Sequence, residues 1–259
     1  MTMTVLAAGD EFVAPGTKDF FPPAIFGDVT KPMVLLVLSI VIIGAFFLAA
    51  TRNLKLVPGK FQFLGESAYD LGRNSIAREQ IGAKDFQPFV PLILTVFSFI
   101  LVNNLFGLVP FIQFPTMSHI GFPLAVSVLV IYPVYHFVGF RRHGFLGYLK
   151  NQTMPPGAPW YVLILLVPIE FFQKFILNPL TLAIRVFAAM FAGHLLLLVF
   201  TLAGEYLLFA GGVTVVVAPI AFAFAIALTF LEALIMVLQA YIFALLSANY
   251  IGAALAEEH

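Results

Sequence analysis

Glu170, Lys174, Arg185, His194 and Glu232 stand inside two long apolar stretches of a 259-residue chain, residues 160–203 and 213–256. A charge at the centre of a lipid core costs about 2.5–3.5 kcal/mol on insertion scales. Five such groups need a reason. Ion pairs that glue helices together are one reading, although apolar packing stabilises helices at lower cost. The other reading is chemistry: fixed and titratable charges that steer a moving ion.

Arg185 is the sharpest case. No Lys or Arg follows it in the remaining sequence, and its flanks, Leu180 to Ile184 and Val186 to Met190, supply no acid. Arginine stays protonated in essentially any site. Its countercharge must come from another helix, with Glu170 and Glu232 as candidates, or from another subunit. His194 lies nine residues on, which in a straight helix is about 180° around and about 13.5 Å along. It should point away from the face that shows Arg185. Glu232 precedes Gln239 by seven residues, so the two share a helix face about 10.5 Å apart. A histidine and a carboxylate on neighbouring helices make a proton relay near neutral pH, whereas a lone histidine on an apolar helix serves packing. Glu170 lies fifteen residues before Arg185. Polar groups on both sides of one fixed cation suggest two aqueous entries that do not meet. Asn104, His119, Thr181 and Asn249 are further candidate channel groups, and Asn103 and Asn104 could equally bond between helices.

Covalent chemistry has no residues to carry it. The sequence shows no nucleophile elbow, phosphate-binding loop, metal-ligand spacing or dinucleotide fingerprint. There is no Cys, which excludes disulfides and thiolate sites. We expect no catalytic residue, no metal and no cofactor.

The elements that must position these groups are membrane helices. Apolar residues make up 61% of the chain and charged ones 10%, against roughly a quarter charged in soluble domains. The net charge is zero, so charge argues for no nucleic-acid partner. A span needs about 20 apolar residues, and five regions qualify: 32–50, 88–110, 122–140, 160–203 and 213–256. The last two would be rods of about 66 Å against a hydrocarbon core of about 30 Å. Each must tilt, break or cross twice. Neither has a polar break at its middle, so a tilted, side-by-side pair is expected, with Pro168 and Pro179 as kink points. No run near Met1 has the form of a signal peptide.

Between the first two spans, Phe61, Leu64, Ala68, Leu71, Ser75 and Ala77 give a partial helical stripe. It predicts an amphipathic surface helix, with a solvated loop as the alternative. Lys and Arg concentrate in residues 51–87 (Arg52, Lys55, Lys60, Arg73, Arg78, Lys84) and in the loop after the third span (Arg141, Arg142, Lys150). Loops 111–121 and 204–212 have none. Positive residues mark the cytoplasmic side, so the N-terminus should face outward and the terminal Glu257-Glu258-His259 the cytoplasm. The acids Asp10, Glu11, Asp19 and Asp28, against Lys18 and Lys31, agree. The expected fold class is thus an all-α polytopic membrane protein of about five spans. It divides into an outward tail (1–31), a first span (32–51), a basic amphipathic segment (52–87), a helical hairpin (88–142), a cytoplasmic loop (143–159) and a long tilted pair carrying the ion path (160–259).

Specific motifs now join these features. The run Asn178-Pro179-Leu180-Thr181-Leu182-Ala183-Ile184-Arg185-Val186-Phe187-Ala188-Ala189-Met190-Phe191-Ala192-Gly193-His194 resembles the signature of subunit a of rotary F-type ATP synthases. Asn104-Leu105-Phe106-Gly107-Leu108-Val109-Pro110 resembles that family's second-span motif, and Leu238-Gln239-Ala240-Tyr241-Ile242-Phe243 with Glu257-Glu258-His259 its C-terminal helix. The matches run in the family's order from residue 104 to the end, while the first hundred residues match in hydropathy only. The resemblance implies a static subunit of a bacterial plasma-membrane complex, lying against a ring of c subunits and beside a b-type peripheral stalk. Two offset half-channels would serve the ring carboxylates. Arg185 would pair with the ionised carboxylate and block a short circuit, with His194, Glu232, Gln239 and Glu170 on the proton path. The chain would be no enzyme alone, with ATP handled elsewhere in the complex. Many bacterial members carry an acid where His194 stands and a histidine where Glu232 stands, so the pair is exchanged here, which suggests joint action. Ala189 replaces a frequent Asn, and Glu170 is one residue farther from Arg185 than the family's acid. A stand-alone secondary transporter is the alternative, but it would favour an inverted repeat that the sequence lacks. A passive scaffold leaves Arg185 unexplained.

Overall fold

The computed structural model describes residues 14–16, 20–52, 54–154, 159–212 and 214–256. The charged tail residues Asp10, Glu11, Lys18, Asp19, Glu257, Glu258 and His259 lie outside the described residues. A short antiparallel hairpin, β1 (Ala24–Phe26) and β2 (Val29–Thr30), turns through Gly27 at φ +57°, a left-handed backbone that glycine adopts without strain.

Among the described residues all other regular structure is helical. The helices are α1 (Lys31–Thr51), α2 (Lys60–Asp70), α3 (Glu79–Ile81), α4 (Val90–Leu105), α5 (Gly121–Ala125), α6 (Tyr132–His143), α7 (Phe145–Thr153), α8 (Trp160–Phe172), α9 (Asn178–Phe209) and α10 (Thr214–Leu255). Pro32 and Pro91 sit near the starts of the first and second spans, where a missing N–H costs little, while Pro133 and Pro179 lie within continuous helix just after π turns. Wider π turns at Leu71–Arg78, Val126–Ile131 and Gln173–Leu177 join α2 to α3, α5 to α6 and α8 to α9.

Among the described residues, five helical stretches are long and apolar enough to cross a membrane: Lys31–Thr51, Gln87–Leu105, Gly121–His143, Tyr161–Phe209 and Thr214–Leu255. The second ends five residues before the expected Pro110, because Gly107 and Pro110 follow and cannot prolong a helix. The fourth runs past residue 203, so Glu205 belongs to α9 rather than to a junction. The stretch 143–159, read as a loop, contains α7. Neither long region breaks. At 42 residues α10 is a rod of about 63 Å, which a lipid core of about 30 Å holds only at a steep tilt. Helices α9 and α10 lie side by side and make the most extensive helix contact in the chain.

The amphipathic segment is helical. Of its apolar stripe, Phe61 and Leu64 are exposed, as in a helix lying in the membrane surface, and Ala77 is buried, with Gln62, Gly65, Gly72 and Ile76 buried beside it. Small Gly65 lets α2 approach Ala50 of α1 so closely that an added β-carbon would stand 2.7 Å from the Ala50 methyl. After Leu71 the π turn resets the helical phase, and a stripe read at 3.6 residues per turn loses register.

The core is a seam of α4, α9 and α10 with Ile76, Ile93, Ile100, Leu182, Val186, Met190, Met236 and Phe243 fully buried. Large apolar side chains also cover the outside: Val37, Ile40 and Leu48 on α1, and Phe230 and Leu234 on α10. Apolar surface of that extent marks contact with lipid or with another membrane protein.

Candidate functional site

Helix α9 buries one stripe, Leu182, Val186, Met190 and His194, spaced four apart. Helix α10 buries Ala225, Glu232, Met236, Ala240 and Phe243 against it. These two stripes bring His194 and Glu232 face to face. His194 Nδ1 lies 3.5 Å from Glu232 Oε1, and both side chains are about as buried as the core, at 4% and 3% exposure. The room for the carboxylate comes from Gly193, whose hydrogen faces Glu232 where a larger residue would carry its side chain. His194 Nδ1 and both Glu232 oxygens are buried and make no hydrogen bond among the described residues. Buried polar atoms without partners are costly, and ones that exchange protons must leave capacity open.

Further orphaned polar atoms belong to Asn104, Gln239, Thr116 and His119. Asn104 is fully buried and donates through Nδ2 to the Met236 carbonyl at 3.2 Å, one turn along α10 from Glu232. Its Oδ1 stays unmatched. Gln239 is half-buried, two turns along α10 from Glu232, again with a buried unmatched oxygen. Asn103 turns the other way, to Ser39 Oγ at 2.9 Å and the Phe99 carbonyl at 2.8 Å, and ties α4 to α1.

Arg185 sits at the flank of the buried stripe and is half-buried, less enclosed than its apolar flanks suggest. Neither acid named from the sequence pairs with it. Glu170 is bound to Lys174 at 3.2 Å, one turn away on the same helical stretch, and Glu232 faces His194 at 3.5 Å. Among the described residues no carboxylate lies within ion-pair distance of Arg185. The phenol of Tyr250 lies in its field and within hydrogen-bonding reach of Thr181. Thr181 itself donates back to the Leu177 carbonyl at 2.8 Å.

Glu170 and Lys174 serve a different junction. Lys174 Nζ donates to the Gln152 carbonyl at 2.7 Å, and Tyr135 donates to the Lys174 carbonyl at 3.2 Å. At the far end of α10, Asn249 is exposed and donates to Gln80 Oε1 at 3.2 Å. It lines an open cavity of about 720 Å³ with Glu79, Lys84, Asp85 and Arg142.

His119 lies in the loop at the opposite end, ringed by Phe21, Phe114 and Phe122. Burial pushes its imidazole below the usual range, and its hydrogen bond to the Phe20 backbone opposes that shift. At neutral pH it is therefore uncharged. Phe20 is a neighbour the sequence reading missed: its ring stands 5.9 Å from that of His194 and 4.5 Å from that of Phe191. The Phe20-Phe21-Pro22-Pro23 run in a polar tail was the available signal. Also missed is the buried bond between Tyr148 Oη and His136 Nδ1 at 2.9 Å, which holds α7 against α6.

Comparison with known proteins adds a pedigree to this geometry. Residues 33–252 match the family model described as ATP synthase A chain. A relative named ATP synthase subunit a from Nocardioides sp. is 47% identical, with 98% of this chain and 96% of the relative covered. Relatives of the same name from Pseudarthrobacter chlorophenolicus and Streptomyces lividans are 43% and 40% identical, covering 96% and 97% of this chain and 96% and 90% of their own lengths.

Proposed function

The chain belongs to the ATP synthase A chain family, and from that premise we propose that it is the static proton-conducting wall of the Fo sector, with Arg185 turned toward a carboxylate of a moving ring. The family places it in the membrane part of an ATP synthase, as a multi-pass protein. The observation that supports the finer reading is the lone cation: Arg185 is half-buried on an apolar helix, and both acids that could neutralise it are engaged elsewhere. Something negative must reach it from beyond the described residues.

On this reading a proton enters from the outer side and is held at the His194–Glu232 pair, with Asn104 and Gln239 offering unmatched oxygens along α10. It passes to a ring carboxylate and leaves after nearly one turn on the inner side, where Asn249 and the cavity beside Gln80 open toward the cytoplasm. Arg185 acts twice. Its positive charge favours the ionised carboxylate and so expels the proton from an arriving ring subunit. It also repels a proton that would run straight from one entry to the other. Glu170, bound to Lys174, lies on the periphery of the inner route. The ring of c subunits would face α9 and α10, and a b-type stalk subunit would hold the chain still. The N-terminus faces outward and the end of α10 the cytoplasm, in line with the basic loops.

Arg185→Ala tests the reading. ATP synthesis and ATP-driven pumping should vanish while passive proton leak through the assembled complex persists. The measurement is formation and decay of a pH gradient in vesicles, normalised to assembled subunit. Normal coupling per complex would make Arg185 a structural residue and overturn the proposal.

A further inference from the structure

The His194–Glu232 pair is nearly sealed within the chain, yet on the reading above it must take protons from outside. Among the described residues, one side chain packed against His194 is that of Phe20. Phe20 is 2% exposed. Its ring meets His194 edge-on at 5.9 Å and leans on Phe191 at 4.5 Å. Its backbone is hydrogen-bonded to the His119 ring, and the next residue, Phe21, stacks edge-on against the same imidazole at 5.1 Å. Phe20 thus stands with a proton-binding group on each side: His119 through its backbone, His194 through its ring. Among the described residues, both histidines keep a buried nitrogen without a hydrogen-bond partner, and Thr116 of the same outer loop keeps a buried hydroxyl in the same condition.

A phenyl ring neither donates nor accepts a proton, and an apolar constriction stops a chain of waters. The ring is held by van der Waals contacts and one backbone hydrogen bond, with no covalent tie or ion pair. Such a contact can open and close many times within one turnover.

The geometry points to Phe20 as an aromatic shutter over the outer entrance to His194–Glu232, latched by His119. This rests on the proton-path reading of that pair. When the ring swings from Phe191, the wall between the two histidines opens and the inner pair can be reloaded. When it returns, the pair is shut off from the outside while its proton moves inward. Phe20 is a positioning residue here, since it controls access and holds no proton.

The test uses the assembled complex in right-side-out vesicles. The chain has no native Cys, so Gly193→Cys places a single reporter beside the pair, and a β-carbon there meets Glu232 at ordinary contact distance. The rate of reaction with external silver ion reports access whether or not the complex couples. Adding Phe20→Ala should speed the reaction about tenfold, the factor that ~1.4 kcal/mol of easier opening gives. Phe20→Leu should stay near the native rate, and His119→Phe, which keeps a ring but loses the hydrogen bond, should fall between. Equal rates in all four would overturn the shutter.

Should Phe20→Ala fail to assemble, a second arm decides. Phe20→Trp, which keeps a ring and enlarges it, should slow the silver reaction below the native rate, and a rate equal to or above the native one would overturn the shutter. These outcomes stand apart from the Arg185→Ala result, which tests coupling and leaves silver access unaffected.

Discussion

A β-carbon on Gly193 would stand 3.6 Å from Glu232 Cγ. That is ordinary van der Waals contact, so Gly193→Ala should pump protons close to the native rate. Gly193→Leu drives further atoms into the carboxylate's place, and overpacking of this kind costs about 1–3 kcal/mol. We expect it to push Glu232 off His194 and to cut ATP-driven pumping severely in complexes that still assemble. Equal pumping by the Ala and Leu variants would show that the glycine does not set the carboxylate's position.

The pair itself makes a second prediction. His194→Ala and Glu232→Ala should each slow proton uptake without detaching the subunit. Their effects should not add, because the second loss costs little once the relay is broken. The exchange His194→Glu with Glu232→His should recover part of the flux. A double-mutant cycle of pumping rates that came out additive would separate the two residues.

Arg185→Lys keeps a charge but loses the planar fork and the very high pKa. Pumping should be severely reduced, with less passive leak than in Arg185→Ala. Leak equal to that of the Ala variant, read from decay of the pH gradient, would mean that charge alone does not form the barrier.

Gly252 sits against main chain. An added β-carbon would lie 2.2 Å from the Gln80 carbonyl oxygen and 3.1 Å from its carbon, and neither is a flexible side-chain end. Gly252→Ala should lever α3 off the end of α10 and speed cleavage after Arg78 and Lys84, whose side chains are already exposed, by trypsin added from the cytoplasmic side. Gly121→Ala, which meets nothing within 4 Å, is the control. Unchanged cleavage in Gly252→Ala would mean that α3 can shift without coming loose.

Orientation can be read with single cysteines. Leu56 and Phe111 are fully exposed and lie at opposite ends of the bundle. Lys31 Nζ reaches the Ile112 carbonyl at 2.5 Å, which places the start of α1 beside the loop holding Phe111. Leu56 follows the other end of α1. Leu56→Cys should react with a membrane-impermeant thiol reagent only from the cytoplasm, and Phe111→Cys only from outside. The reverse pattern would invert the proposed topology.

Hydropathy made the five spans legible, because lipid imposes a length and a polarity on each one. The motif around Arg185 likewise made His194 and Glu232 worth pairing before any geometry was known. What stayed hidden depends on tertiary contact. The buried face of α2 follows from the smallness of Gly65, against which the exposure of Phe61 and Leu64 is tolerated by lipid. Glu170 looked like a countercharge for Arg185 from its type and position, yet Lys174 one turn away claims it. Phe20 belongs to a tail whose only sign of burial was two adjacent aromatics, and no periodicity reports a segment that folds back across the mouth of a bundle.

The π turn at Gln173–Leu177 carries one implication for how this helix tolerates change. A π turn is what a helix makes of a residue too many: one loop widens, and the chain on either side keeps its own packing. Glu170 stays with Lys174 at one end and Arg185 keeps its flank of the buried stripe at the other. An extra residue between Glu170 and Arg185 is thereby taken up as slack in the helix wall. Length can drift at this point while the address of the arginine stays fixed.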